Sequence, residues 1–422
     1  MPFSSLGLNP ALLQAIAEKK YFAPTPIQSA AVPAIFLGRD VLASAQTGSG
    51  KTGAFAWPLL QQIAALDEPP TRAPKRLHGL ILVPTRELAA QVGEALVNFA
   101  RHLPRRVKVA VVFGGVSINP QMMNLRGGAD IVVATPGRLL DLIAHNALSL
   151  AAVSTLVLDE ADKLLDLGFG EELGRIFSML PTQRQTLFFS ATFPPAIETL
   201  AASMLREPLR IEIKPEPQGK SDITQRAIEV DASRRTQLLR HLIQTEKWSR
   251  ALVFVATKHA AEIVADKLRK CHIEAEPFHG ELSQGKRTQV LLDFKNQSVQ
   301  VVVATDVAAR GIDIAQLPVV VNYDLPRSPV DYTHRIGRTG RAGESGLAIS
   351  FVSTGTLAHF KLIEKRQRLI VPREQLAGFE PVEVLTPNAA DPLSTGGIKG
   401  KRPSKKDKLR EEKMRADANN KT

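Results

Sequence analysis

A single cysteine, Cys271, is all the chain has, which excludes an intrachain disulfide and leaves no thiolate set for a structural zinc site. A reducing cytoplasm is the expected setting. Aromatic residues are also scarce, with three Tyr and two Trp. Stacking bases on aromatic rings is therefore excluded as the main way of holding nucleic acid. No apolar run approaches the roughly 20 residues of a membrane span, and the opening "MPFSSLGLNP" lacks a basic region followed by an apolar one. Neither a signal peptide, a transmembrane helix nor a membrane partner is expected. The nine histidines are scattered without paired ligand spacing.

The 422 residues are too many for one ordinary core, so two domains with appendages are expected. A hydrophobic content of 44% with 23% charged residues fits a globular chain. The net charge of +12 points to a polyanionic partner, most simply nucleic acid. Half of it lies in residues 399–422, where ten Lys/Arg face four Asp/Glu for a net +6. That run reads as a solvated, disordered tail that also adds phosphate-binding charge.

Short β-branched runs alternate with helical patterns. Residues 41–44, 79–84, 108–113, 130–135, 155–160 and 185–190 read as strands, with helices over 86–101 and 137–145 among those between them. The scheme returns at 251–257, 299–305 and 317–323. Nearly continuous apolar strands separated by helices indicate parallel sheets covered on both faces. The stretch "IKPEPQGKSD" (213–222) has no apolar period and reads as a linker. Two α/β domains follow, 1–212 and 223–372, with a tail from 373 to 422. Ligands of such sheets gather at the carboxyl ends of strands.

The chemically suggestive residues fall at those ends. "ASAQTGSGKTG" follows the strand 41–44 and opens a helix; it fits a phosphate loop except that Ala45 stands at the first glycine position. Gly48, Ser49 and Gly50 can still supply the exposed N–H groups at a helix start. Lys51 would reach the β- and γ-phosphates, and the Thr52 hydroxyl would ligate Mg²⁺. "LVLDEAD" (156–162) places three carboxylates behind another apolar run. Asp159 is positioned to hold Mg²⁺, through water, and Glu160 to orient or deprotonate the attacking water. Asp162 is read as pairing with a basic partner elsewhere.

With "GSGKT" and "DEAD" in order, the sequence resembles the DEAD-box ATP-dependent RNA helicases of superfamily 2, over about residues 3–350. "APTPIQ" (23–28) looks like the adenine-recognising motif, with Gln28 on the adenine edge and Tyr21 on its face; Lys20 stands where glycine is usual. Phe3 matches an isolated upstream aromatic. "PTREL" (84–88), "GG" (114–115) and "TPGR" (135–138) match first-domain RNA contacts. "SAT" (190–192) matches the segment linking hydrolysis to strand separation. "VFVAT" (253–257), "QGKR" (284–287), "ATDVAARGIDI" (304–314) and "HRIGRTGR" (334–341) match second-domain motifs. The opening 26-residue stretch "FSSLGLNPALLQAIAEKKYFAPTPIQ" and "GESGLAISFVS" (343–353) look like the bacterial RhlE-type branch.

The resemblance implies two tandem RecA-like domains, ATP and Mg²⁺ as cofactors, and RNA read with little sequence preference. Gln46, Thr47, Gly48, Ser49, Gly50, Lys51, Thr52 and Asp313 would hold ATP. Arg338 and Arg341 would act as arginine fingers on its γ-phosphate. Pro84, Thr85, Arg86, Gly115, Thr135, Pro136, Arg138, Arg287 and Thr305 would contact RNA. Ser190, Thr192, Asp162 and His334 would couple hydrolysis to RNA. Taken singly, each of these polar or cationic groups could equally be a surface charge or a helix cap. A monomer is expected, with ribosomal or RNA-decay proteins as partners. Two other readings stay open: an ATP-gated RNA clamp that rarely unwinds, and a DNA-directed motor of the same superfamily.

Overall fold

A computed structural model of the chain describes residues 2–45, 48–66, 76–213, 223–309, 317–340 and 345–382. The chain divides into two compact units, each with its own seven-stranded sheet.

The first sheet contains β1 (Val41–Ser44), β2 (Gly79–Leu82), β3 (Val109–Val112), β4 (Ile131–Ala134), β5 (Thr155–Asp159), β6 (Gln185–Ser190) and β7 (Leu209–Glu212). Their order is β3-β4-β2-β5-β6-β1-β7, with parallel pairing throughout. Every residue of β2, β4 and β5 is buried, as apolar runs need when helices cover both faces. Successive side chains alternate between faces. Phe189 thus joins a core with Phe55, Trp57 and Leu96 of the helices Lys51–Ala64 and Arg86–Phe99. Phe188 joins the opposite core, with Leu139 and Leu173 of the helices Pro136–Ala144 and Gly170–Met179. Phe3 packs edge-on against Trp57 at 5.5 Å between ring centres.

The second sheet contains β8 (Ile223–Glu229), β9 (Ala251–Val255), β10 (Ala275–Phe278), β11 (Val301–Thr305), β12 (Val319–Asn322), β13 (Gly346–Val352) and β14 (Arg373–Glu374). Its order is β10-β11-β9-β12-β13-β8-β14, strand for strand the same pattern as the first. β14 pairs with β8, and Arg373 bonds Glu364 at 2.7 Å. The sheet therefore runs past Pro372, so the expected start of the tail at 373 is too early. Beyond it, Val382 N donates to Asp231 at 2.9 Å. The linker beyond residue 213 and the basic stretch 383–422 lie outside the described residues. Among the described residues, no helix is long and apolar enough to cross a membrane.

The helix Pro10–Glu18 ends at a left-handed residue, Lys20, with φ 56°. Its N–H donates to Ala17 O and that of Tyr21 to Ile16 O. Glycine adopts this conformation freely, and a side chain pays about 1–2 kcal/mol for it. The same two-bond ending closes the helix Pro26–Phe36, there at Gly38 with φ 73°. Lys20→Gly should raise stability by about 0.5–1 kcal/mol, read from the urea midpoint at unchanged slope.

Candidate nucleotide and nucleic-acid site

The carboxyl end of β1 runs into a glycine turn. Gly48 and Gly50 have φ 83° and 91°. A Cβ on Gly50 would lie 2.4 Å from the Gln28 amide nitrogen, so a larger residue would displace that amide and strain the backbone. Lys51 is the first residue of the helix Lys51–Ala64, and its ammonium donates to Ala45 O at 2.7 Å. Burial holds that ammonium below the usual lysine range, against the pull of Asp159 and Glu160. Gln46 and Thr47 lie outside the described residues.

Asp159 ends β5, two strands away from β1. Burial pushes its carboxyl up to about 6, although Lys51 pulls it down. Oδ1 accepts from the N–H of Glu160 at 2.9 Å. Glu160 takes a left-handed backbone, φ 53°, and turns the chain into the helix Ala161–Asp166. Its carboxylate is bonded to Lys163 at 2.7 Å, with both side chains buried.

Among the described residues, no cluster of three or more His, Cys, Asp or Glu could hold a metal. A buried carboxylate on Asp159 and a hydroxyl on Thr52 are a sparse, hard oxygen set. Such a set suits Mg²⁺, which keeps several waters and draws further ligands from substrate phosphates, and it does not suit zinc.

Three further bonds tie this centre to its surroundings. β6 lies between β5 and β1 and ends at Ser190. Asp162 N donates to Ser190 Oγ (3.4 Å), Ser190 Oγ donates to Thr192 O (2.7 Å), and Thr192 Oγ1 donates to Asp162 Oδ2 (3.3 Å). The hydrogen-bond partners of Asp162 within this unit are thus the hydroxyls of Ser190 and Thr192. Gln28 makes two of its possible hydrogen bonds here. It accepts from Thr25 N at 2.9 Å and donates to Gly50 O at 3.1 Å, joining the "APTPIQ" segment to the glycine turn. Tyr21, seven residues earlier in the chain, is about half exposed.

The carboxyl ends of β2, β3 and β4 form a second cluster. Thr85 caps the helix Arg86–Phe99 by accepting from Leu88 N at 3.3 Å. Arg86 donates to Gly115 O at 3.5 Å, and a Cβ on Gly115, where φ is 71°, would lie 1.7 Å from the Arg86 guanidinium. Thr135 accepts from Gly114 N at 3.3 Å, and Arg138 donates to Val116 O at 2.7 Å. Pro136 opens the helix Pro136–Ala144, and Pro84 is buried just before Thr85. The Gly114–Val116 turn is therefore held from both sides. Nε and Nη1 of Arg138 are buried without a hydrogen-bond partner, Nε lying 3.7 Å from the Asp141 carboxylate, so Nη1 above all would gain from an anionic ligand.

Thr305 ends β11 in the second unit. Arg287, on the helix Gln284–Lys295, lies in the stretch Phe278–Leu292 that groups with the first unit, and it pairs with Glu87 at 2.9 Å. His334 lies on the helix Pro329–Ile336, and Arg338 is buried two residues beyond it. Asp313 and Arg341 lie outside the described residues. Two residues that the sequence reading did not single out do structural work here and in the first unit. Arg335 donates to both carboxylate oxygens of Asp306 at 2.6 and 2.7 Å, to Asn322 Oδ1 at 3.0 Å and to Asp324 O at 2.6 Å. Lys163, three residues after Glu160, could have been found from its helical spacing to that acid.

A family model described as DEAD/DEAH box helicase matches residues 25–200, and one described as Helicase conserved C-terminal domain matches 234–343. The chain belongs to the DEAD/DEAH-box helicase family. It is 41% identical over 380 residues to "ATP-dependent RNA helicase DeaD" of Mycobacterium tuberculosis, covering 90% of this chain and 66% of that protein. It is 40% identical over 363 residues to "DEAD-box ATP-dependent RNA helicase CshA" of Bacillus cereus, covering 86% of this chain and 67% of that protein. The chain thus spans about two thirds of the length of these relatives. Among solved structures, Saccharomyces cerevisiae Dbp5 bound to RNA and ADP BeF3 superposes with a TM-score of 0.77 at 31% identity, covering 89% of this chain and 95% of that one.

This helicase chain accordingly has the tandem RecA-like fold, two parallel sheets with their helices. Its structure gathers Lys51, Thr52, Asp159, Glu160, Asp162, Ser190, Thr192 and Gln28 along the carboxyl edge of one sheet, and Arg86, Gly115, Thr135 and Arg138 along the same edge.

Proposed function

We infer that the chain is an RNA-stimulated ATPase that locally unwinds or remodels short RNA duplexes and RNA–protein complexes. The observation that carries this reading is the ring of bonds joining Asp162, Ser190 and Thr192 beside Lys51, Asp159 and Glu160. A bare phosphate-binding fold has no need to tie its acids to the next strand; a machine that transmits hydrolysis does.

In this reading the Gly48–Gly50 turn and Lys51 hold the ATP phosphates, and Gln28 with Tyr21 holds the base. Mg²⁺ held by Thr52 and, through water, by Asp159 would neutralise charge on the phosphates. Glu160 orients the attacking water and takes its proton. Arg338 and Arg341 stabilise the transferring phosphoryl group when the domains close. Arg86, Thr135, Arg138, Arg287 and Thr305 bind phosphate and sugar without reading bases, and 2′-hydroxyls distinguish RNA from DNA. ATP and RNA each stabilise the closed state, so each promotes binding of the other. The domains are taken as 1–212 and from 223 onward, acting as a monomer in the cytoplasm with ribosomal or RNA-decay proteins nearby. The RhlE-type placement rests on the opening and 343–353 stretches, whereas the relatives reported above are named DeaD and CshA.

The test is the ATPase rate with no nucleic acid, with structured RNA and with matched DNA. Stimulation by RNA alone supports the reading; equal stimulation by DNA replaces it with the DNA-directed motor. Duplex release measured beside hydrolysis separates unwinding from clamping. Deleting residues 399–422 removes a net +6 and should weaken RNA binding. The slope of log affinity against log salt should flatten by up to about 4, and an unchanged slope would show the tail to be a bystander.

A further inference from the structure

The opposite edge of the first sheet holds a cavity of about 990 Å³ that the proposed chemistry does not use. Its walls come from residues just before β2 (Arg76, Leu77), before β4 (Arg126–Ala129) and before β5 (Ala151, Ala152). The motif residues lie at the other ends of these adjacent strands. At about 3.3 Å per residue, strands of four or five residues separate the two edges by roughly 15 Å. The size falls at the upper end of small-molecule pockets, about 300–1,000 Å³.

The lining has two characters. Leu77, Leu125, Val132 and Leu148 are apolar, and Met122 and Met123 add adaptable walls, Met123 being 62% exposed. Arg76 and Arg126 bring two cations, and neither guanidinium has a hydrogen-bond or ion-pair partner among the described residues. The backbone at Gly127 is bare: a Cβ there would meet nothing within 4 Å. Most arginines elsewhere in the unit are tied to a carbonyl or carboxylate, as Arg105 is to Asp130 and Arg138 to Val116.

We propose that this cavity binds a small organic anion, an apolar body carrying one carboxylate, phosphate or sulfonate, and that its occupancy adjusts RNA affinity. The apolar wall takes the body and the two free guanidiniums take the charge. The route to RNA is short. The helix Pro136–Ala144 starts at Thr135 and Pro136 and ends beside His145 in the cavity wall. The helix Asn119–Leu125 follows the Gly114–Val116 turn and contributes Asn119, Met122 and Leu125 to the same wall. A ligand therefore touches the far end of one helix whose start carries the Thr135–Pro136 motif, and the length of a second helix that follows the Gly114–Val116 turn.

The probe is 8-anilinonaphthalene-1-sulfonate, titrated into the full chain and followed by fluorescence. One saturable site is expected, undisturbed by saturating ADP with Mg²⁺. The double variant Arg76→Ala/Arg126→Ala should lose at least tenfold in dye affinity, while Arg76→Lys/Arg126→Lys retains most of it. The uncharged analogue N-phenyl-1-naphthylamine should bind the parent and the alanine variant alike. Displacement by ADP, or equal dye affinity in parent and alanine variant, overturns the site. Saturating dye should also shift RNA affinity at least threefold in the parent and not in the alanine variant; no shift overturns the coupling. Only this last readout rests on the proposed RNA function, so the dye titration fails or succeeds independently of it.

Discussion

Replacing Glu160 with glutamine should leave ATP and RNA affinities within about threefold of the parent while reducing steady-state hydrolysis by about 100-fold or more. General-base assistance is worth about 10²–10⁴ in rate, and the amide keeps the shape while losing the basicity. The surroundings favour so selective an effect. Glu160 is buried at a left-handed backbone position that fixes where its side chain leaves the chain. Its ion pair with Lys163 at 2.7 Å becomes a hydrogen bond in the variant, so the side chain need not move. In the proposed reading, ATP binding relies on other groups, chiefly Lys51 and the glycine turn. Hydrolysis near the parent rate in Glu160→Gln would remove Glu160 from the chemistry. A parallel loss of ATP affinity would instead mark it as a binding group.

Lys51→Ala should have an effect of similar size on a different step, lowering ATP affinity by about 100-fold or more, measured by equilibrium titration. A buried charge-assisted contact to phosphate is worth several kcal/mol where water is excluded, and 1.4 kcal/mol is tenfold. The fold itself should survive, because the ammonium is already held below the usual lysine range by burial, and keeping it charged opposes folding. The variant has a second signature. Asp159 lies at about 6 even with Lys51 beside it, so its folded value exceeds the unfolded 3.8. A raised carboxyl value stabilises the fold below the unfolded value, and that contribution fades as pH rises through the folded value. Without Lys51, Asp159 should titrate higher, and the fading should move to higher pH. Unfolding midpoints between pH 4 and 8 would show it; a shift to lower pH would mean that the two groups do not interact as described.

Much of this centre was legible in the sequence because it is local. A glycine turn entering a helix at Lys51, and acids at the end of β5, follow from short-range spacing. The through-space partners were not. Asp162 and Thr192 are separated by 30 residues, and only the placement of β6 beside β5 brings them together. The grip of Gln28 on Gly50 is hidden for the same reason. The strands show a similar division. Buried β2, β4, β5, β9, β11 and β12 read as apolar runs. β7, β10 and β14 were missed at sheet edges, where half-exposed residues interrupt the run. β8, next to the edge and carrying Gln225 and Arg226, was missed too, as was β13 despite its apolar run.

The matching strand orders of the two sheets give the two halves equivalent corners, which can be compared one by one. Thr85 after β2 and Thr257 after β9 occupy equivalent corners and cap their helices alike, accepting from Leu88 N and Ala260 N. Thr135 after β4 and Thr305 at the end of β11 correspond in the same way. The corner after β1 holds the glycine turn, while its counterpart after β8 reads Val230-Asp231-Ala232-Ser233 and has no glycine. In the proposed reading, corners that grip the RNA strand therefore occur in both halves, and the glycine turn that grips the fuel occurs in one.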